Sequence, residues 1–283
     1  MKHIVLFLAA IALVVTSPLF DEQSGACHAQ TTQWTSVNGP WTAKNVVSVS
    51  RGYDGQGRSI TYAVSGGGNY LMKATSEDLA DWTRLEIPSM EGQLAVVACY
   101  EQDAAIVYVG IRGEKGGILK SVDGGETWED ASKGLGNTDF NRLKVSPHDR
   151  DFVLAGMKRG DGQSEVLWET ADGGNSWESN RWFRDIRITI TDIVFHPRNP
   201  DVIYVSGNEG DSEQNGVYWS DNGGADWRLV REGMSDTEIG ALEIDEVRDD
   251  LYFLYAGSTE AGHFYFAVEG EILEGILSET SHS

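Results

Sequence analysis

Five tryptophans set the phase of this chain: Trp34, Trp82, Trp128, Trp177 and Trp227 recur at intervals of 48, 46, 49 and 50 residues. A period near fifty, sustained over most of the sequence, describes a stack of copies of one unit rather than one irregular core. Around three of the tryptophans the neighbours repeat too. Ser121-Val-Asp123-Gly124-Gly125-Glu-Thr127-Trp128 is the cleanest copy, and Thr170-Ala-Asp172-Gly173-Gly174-Asn-Ser176-Trp177 follows it closely. Ser220-Asp-Asn222-Gly223-Gly224-Ala-Asp226-Trp227 has Asn in place of Asp, and Thr75-Ser-Glu77-Asp78-Leu79-Ala-Asp81-Trp82 keeps only the outline.

Within each period the strand signals recur in one order. Arg142-Leu-Lys-Val145 precedes a turn at Pro147, an apolar run ending at Ala155, a Gly-rich loop, and Val166-Leu-Trp168 before the box. The next copy reads Ile193-Val-Phe195, a turn at Pro197, Val202-Ile-Tyr-Val205, a loop, and Val217-Tyr-Trp219. Runs of β-branched and aromatic residues between Gly, Pro, Asn and Asp clusters are strands, and no stretch has a helical period. Four strands per repeat with short connections predict an all-β fold of four-stranded antiparallel blades, a β-propeller. The box itself reads as a structural turn. Gly supplies positive φ, and the Asp carboxylate accepts orphaned backbone N–H groups. The Ser or Thr hydroxyls tie the two arms, and the Trp fills space between blades.

The motif Ser-x-Asp-x-Gly-x-Thr-Trp at this spacing resembles the Asp-box or BNR repeat. That repeat occurs in sialidases, in sortilin and its Vps10-type relatives, and in xyloglucan-cleaving hydrolases. The segment Phe195-His-Pro197-Arg-Asn199-Pro200-Asp-Val202-Ile-Tyr204-Val is similar to the sortilin and xyloglucanase branch. The resemblance runs from about Trp34 to the C-terminus. It makes Ser121, Asp123, Gly125, Thr127 and Trp128 structural box residues, with Thr170, Asp172, Gly174, Ser176 and Trp177, and with Ser220, Asn222, Gly224 and Trp227. What it implies is a fold; fold alone does not assign function.

The two ends carry separate expectations. Lys2 and His3 precede an apolar run at 4–15, too short to span a bilayer, so residues 1–29 read as a secretory signal peptide. Residues 30–283 are then one propeller domain, secreted, periplasmic or at the cell surface. Ser24 stands where a lipobox normally has Leu, which argues against a lipid anchor at Cys27. Cys99, the other cysteine, lies in the apolar run 94–100 and reads as a buried small hydrophobe. Trp34 has the phase of an outer-strand Trp, so 33–37 is expected to complete the last repeat and close a ring of five blades.

Charge excludes some partners. With 44 acidic against 22 basic residues, a net charge of −22 is a poor match for nucleic acid or anionic lipid. The six histidines have no paired spacing, and there is no phosphate loop. No metal and no cofactor are expected, and a monomer without a membrane span is.

In a propeller the loops after the second strands share a face with the connections between blades. Those loops, at 65–69, 112–117, 158–165, 207–216 and 257–262, contain Arg112, Arg159, Asp161 and Asp211. Among the connections, Asn180-Arg181-Trp182-Phe183-Arg184-Asp185-Ile-Arg187 stands out. Trp182, Arg184, Asp185 and Arg187 there, with Arg112 and Arg159, are the candidate ligand-binding residues. An aromatic side chain among charges can stack on a sugar or anchor a protein. The competing reading is that Trp182 and Phe183 fill the gap between blades. A sialidase would need an arginine triad and a Tyr nucleophile; Arg112, Arg159 and Arg184 could face one centre, but no Tyr lies in these loops. A two-carboxylate glycosidase needs acids about 5–9.5 Å apart, for which Asp161 and Asp211, one repeat apart, are the candidates. The reading is a binding or scaffold propeller for a glycan or an extracellular protein, with a sialidase- or xyloglucanase-type hydrolase as the alternative.

Overall fold

Among the described residues one antiparallel strand order forms four four-stranded sheets and, with three strands, a fifth. The computed structural model describes residues 45–268 apart from 67–68, 89–90, 137, 160–164, 185, 210–212, 236, 249–250 and 260–262. The first sheet is β1 (Val46–Tyr53), β2 (Ser59–Ser65), β3 (Tyr70–Ala74) and β4 (Thr83–Leu85). The second is β5 (Gln93–Tyr100), β6 (Asp103–Arg112), β7 (Gly117–Ser121) and β8 (Glu129–Asp130). The third is β9 (Phe140–Val145), β10 (Val153–Met157), β11 (Leu167–Thr170) and β12 (Glu178–Ser179). The fourth is β13 (Thr189–Phe195), β14 (Ile203–Asn208), β15 (Gly216–Ser220) and β16 (Arg228–Val230), and the fifth is β17 (Ile239–Arg248), β18 (Leu251–Ser258) and β19 (Phe264–Val268). Every sheet is an antiparallel meander in chain order, and the described residues hold no α-helix. The fourth strand expected at 33–37, and with it the closure of the ring, lies outside the described residues.

Neighbouring sheets pack through their innermost strands, β1 on β5, β5 on β9, β9 on β13 and β13 on β17. Strand alternation then sends successive side chains of one strand into two different cores. On β6, Val107 and Val109 join Tyr62, Val64 and Leu71 in the wedge between sheets one and two. Ile106 and Tyr108 join Phe140, Val153 and Trp168 in the wedge between sheets two and three. Two further clusters repeat the arrangement between sheets three and four and between four and five. All seven residues of β2 are buried, the apolar Ile60, Tyr62, Ala63 and Val64 together with the polar Ser59, Thr61 and Ser65. Cys99 is buried in the first of these wedges, where burial pushes its thiol up to about 11.

Side-chain bonds to the backbone close the box turns. Asp123 Oδ1 accepts the N–H groups of Glu126 and Thr127 at 3.0 and 2.9 Å, and Ser121 Oγ accepts that of Gly125 at 2.8 Å. Gly124 and Gly125 sit at φ 76° and 93°, where a side chain would be strained. Asp172 makes the same contact to the Ser176 N–H at 2.8 Å, and Asn222 to that of Asp226 at 2.9 Å. The degenerate first copy reaches the same result from its other end. There Asp81 accepts the N–H groups of Thr75 and Ser76, both at 3.0 Å. Trp177 and Trp227 are buried, while Trp128 packs half-buried on its core.

Candidate functional site

Three arginines, Arg112, Arg159 and Arg142, are engaged between sheets. Arg112, at the end of β6, pairs through Nε with Asp139 and donates from its other nitrogen to the carbonyl of Phe140 at the start of β9. Arg159, two residues beyond β10, pairs with Glu209 at 3.2 Å, and Thr189 Oγ1 accepts its backbone N–H at 3.1 Å. Arg142 on β9 faces Asp192 on β13 at 3.4 Å. Each pair joins a strand of one sheet to the next, so these charges stiffen the face as well as decorate it. Asp139 and Asp192 were not singled out by the sequence, and Glu209 stood there only as one acid of its loop. The signal was available, because each acid follows its arginine by one repeat or less, but pairing partners cannot be told from solvated acids without the register.

The unusual connection forms a 3-10 turn at Arg181–Phe183, capped by the Asn180 side chain, which accepts the Trp182 N–H at 3.2 Å. Asn180 is buried and donates Nδ2 to Glu169 and to the carbonyl of Gly224 at 2.8 and 2.9 Å, so one side chain ties this turn to the next box. Burial, only partly offset by the Asn180 bond, holds the Glu169 carboxyl above its ordinary value. Phe183 is fully buried, edge-on to Tyr218 at 5.1 Å and to Trp227 at 5.3 Å. Trp182 is half-buried beside it, edge-on to Tyr218 at 5.5 Å. The two aromatics fill the wedge between the third and fourth sheets. Beside the half-buried Trp182, the corner offers charge to solvent: Arg181, Arg184 and Arg187 are exposed. Arg184 lies 4.0 Å from Glu165, a loose pair on a side chain 54% exposed.

The structure therefore brings Trp182, Arg184 and Arg187 to one corner and places Arg112 and Arg159 in separate inter-sheet pairs on the same face. Asp161, Asp185 and Asp211 lie outside the described residues. No cluster of three or more His, Cys, Asp or Glu that could hold a metal occurs among the described residues. No described helix is long and apolar enough to cross a membrane. A hollow of about 210 Å³ opens where the inner strands meet the loop face, lined by Val47, Ala95, Arg112, Phe140, Asn141 and Arg142.

Comparison with known proteins gives three kinds of likeness. The sequence model of the Sortilin-Vps10 family, described as sortilin, neurotensin receptor 3, matches residues 116–263. The vacuolar protein sorting/targeting protein 10 of Arthroderma otae is 30% identical over 159 residues, 53% of this chain but 10% of that protein. The chain thus spans about a tenth of the length of that relative. Among solved structures, the GH74 xyloglucanase from Xanthomonas campestris superposes with a TM-score of 0.54 at 20% identity, over 80% of this chain and 36% of that one. The Niastella koreensis GH74 enzyme does so with a TM-score of 0.55 at 17% identity, over 82% of this chain and 38% of that one. At these identities the likeness is one of fold.

Proposed function

The chain belongs to the Sortilin-Vps10 family of β-propeller domains, and from that premise we propose that it is a secreted module that binds an extracellular protein through its loop face. The observation that carries this reading is the Arg181–Phe183 corner. Phe183 is locked in the core, and the arginines around it are exposed on an otherwise acidic molecule. A fixed cationic patch within a negative field selects a partner by charge, steering a carboxylate-rich surface to one place and repelling it elsewhere. Trp182, half-buried at the foot of the patch, supplies the apolar contact that a charged rim lacks. Residues 1–29 would deliver the protein to the compartment where such partners are met.

The test is binding to an array of acidic peptides and of glycans, by the parent and by the double variant Arg184→Glu, Arg187→Glu. The expected result is peptide binding that weakens about tenfold or more on reversal and falls with salt. Equal binding by the variant would overturn the assignment of the corner. Binding to glycans alone would move the ligand to carbohydrate. Turnover of xyloglucan or sialosides, abolished by Asp161→Ala or Asp211→Ala, would replace the reading with a hydrolase.

A further inference from the structure

The wedge between the first and second sheets is built like the one that Trp182 and Phe183 fill, but the described residues leave it open. The register makes the equivalence explicit. In the first sheet Leu71 pairs with Leu85. In the third, Leu167 accepts the backbone N–H of Asn180 at 2.9 Å in the matching place. Counting on from these partners, Ile87 occupies the position of Trp182 and Pro88 that of Phe183. Leu94 and Ile190 likewise correspond, each opposite the last turn of its second strand. Between sheets three and four the aromatic pair closes the space with three edge-on contacts to Tyr218 and Trp227. Between sheets one and two the smaller Ile87 and Pro88 leave a cavity of about 290 Å³, walled by Leu71, Leu85, Leu94 and Ile111.

Two features make this hollow a defined receptor. Asn69 holds a left-handed conformation at φ 54° and bridges the sheets, donating Nδ2 to the carbonyl of Gly92 at 3.2 Å and accepting the Leu94 N–H. Asparagine takes this conformation readily, and the two bonds hold its side chain across the sheets. At the other side, the Arg84 guanidinium lies over the ring of Tyr70, 3.9 Å from its centroid, with its side chain 52% exposed. Glu86 is 3.9 Å away, beyond hydrogen-bonding distance, so the stacked guanidinium can receive another carboxylate. The volume is at the lower limit of small-molecule sites and suits a single ring-bearing side chain.

We propose that this wedge is a receptor for one aromatic side chain of a partner polypeptide, presented beside a carboxylate that Arg84 receives. The molecule shows what fits, since its own repeat places an aromatic pair in the equivalent space. The inference rests on the protein-binding reading but uses residues far along the ring from the arginine corner.

The test uses the full chain and a small probe, N-acetyl-aspartyl-phenylalanine amide, followed by chemical-shift titration. The asparaginyl-phenylalanine and aspartyl-alanine analogues are its controls. The expected result is weak, saturable binding of the probe, as befits so few contacts, and much weaker binding of both analogues. Ile87→Trp, which installs the residue of the filled wedge, should lower affinity about tenfold or more while leaving the unfolding midpoint at or above that of the parent. Leu85→Phe is the second filling variant should Ile87→Trp fold poorly. Arg84→Gln should remove the preference for the aspartyl over the asparaginyl probe. Arg184→Glu with Arg187→Glu should leave probe binding unchanged, which separates this site from the corner. Failure of the probe to saturate, or equal binding by both filling variants, would overturn the proposal. So would binding that emerges only after Met90→Ala, since the chain's own connection would then be the occupant.

Discussion

Lys120 on β7 donates from Nζ to the carbonyl of Gly173 at 2.9 Å, reaching into the box turn of the following sheet. One repeat earlier, Lys73 does the same to Gly124 at the same distance. Each ammonium also sits over the ring of a buried tyrosine on its own sheet, Lys120 over Tyr108 at 5.4 Å and Lys73 over Tyr62 at 5.8 Å. The Lys120 side chain is 13% exposed, and Asp151 lies 3.9 Å away. The box turn is therefore more than a hairpin: its glycine carbonyl is the socket by which one blade holds the next. Lys120→Ala leaves that carbonyl without its charged donor, and about 1.5–3 kcal/mol of unfolding free energy should be lost. Urea denaturation of parent and variant measures it, and a change below about 0.5 kcal/mol would show that the socket is ornamental.

Phe183→Ala should be more severe. The ring is fully buried and meets Tyr218, Trp227 and Trp182 edge-on within 5.3 Å, so its removal opens a cavity that the stiff neighbouring strands cannot close. A loss of about 3–5 kcal/mol is expected. Trp182→Ala, at a half-buried position in the same wedge, should cost less than Phe183→Ala. Thermal unfolding of the two variants side by side gives the ranking; the reverse order would mean that the tryptophan, not the phenylalanine, anchors the turn.

Acid should unfasten the box turns in a predictable window. The Ser176 hydroxyl and backbone N–H, followed by the Thr170 hydroxyl, hold the Asp172 carboxyl down at about 2. The corresponding bonds from Thr127 and Ser121 hold Asp123 well below the usual range too. Because the folded value lies below the unfolded one, near 3.8, the unfolded chain binds more protons between them. The stabilisation is thus complete above about pH 4 and is lost as pH falls towards 2. Asp172→Asn removes this dependence and keeps an acceptor, as Asn222 does naturally in the third full box. Stability followed by circular dichroism should fall less steeply with acid in the variant; an unchanged slope would mean that this turn does not govern the acid response.

Much of this architecture could be read from the chain because the repeat puts equivalent residues in equivalent places. Strand order, the Gly-Gly turns and the burial of Trp177 and Trp227 follow from local chemistry that any one copy displays. The degenerate box was harder. Asp81 does the work of Asp123 from the opposite end of its turn, and Leu79 takes φ 54° without being glycine. A pattern read position by position does not register that reversal. The loop face was legible only as composition. Whether Arg112 meets a ligand or Asp139 depends on which side of β9 faces β6, a matter of sheet register and twist that no single repeat encodes. The same limit hid the difference between two wedges, since Ile87 and Trp182 share a phase but only packing shows that one leaves space.

Register also decides the last case. Asp192 on β13 accepts the backbone N–H of Leu242 on β17 at 2.9 Å through one carboxylate oxygen and faces Arg142 on β9 at 3.4 Å through the other. One carboxylate thereby links three successive inner strands, with side chains of 17% and 19% exposure at the pair. Between the first two sheets the links are neutral. Ser48 and Ser50 accept the N–H groups of Val97 and Cys99 at 3.1 and 2.9 Å. Removing the carboxylate leaves the Leu242 amide without this acceptor and takes one partner from Arg142, which keeps its bond to the Asn141 carbonyl. Asp192→Ala should therefore cost about 2–3 kcal/mol, whereas Asp192→Asn, which keeps one acceptor, should cost roughly half of that. Arg142→Met should be milder than Asp192→Ala, because Asp192 keeps its bond to Leu242. In a double-mutant cycle the two sites should couple by about 0.5–3 kcal/mol. Additive effects would show that the two contacts are independent and that Asp192 acts through Leu242 alone.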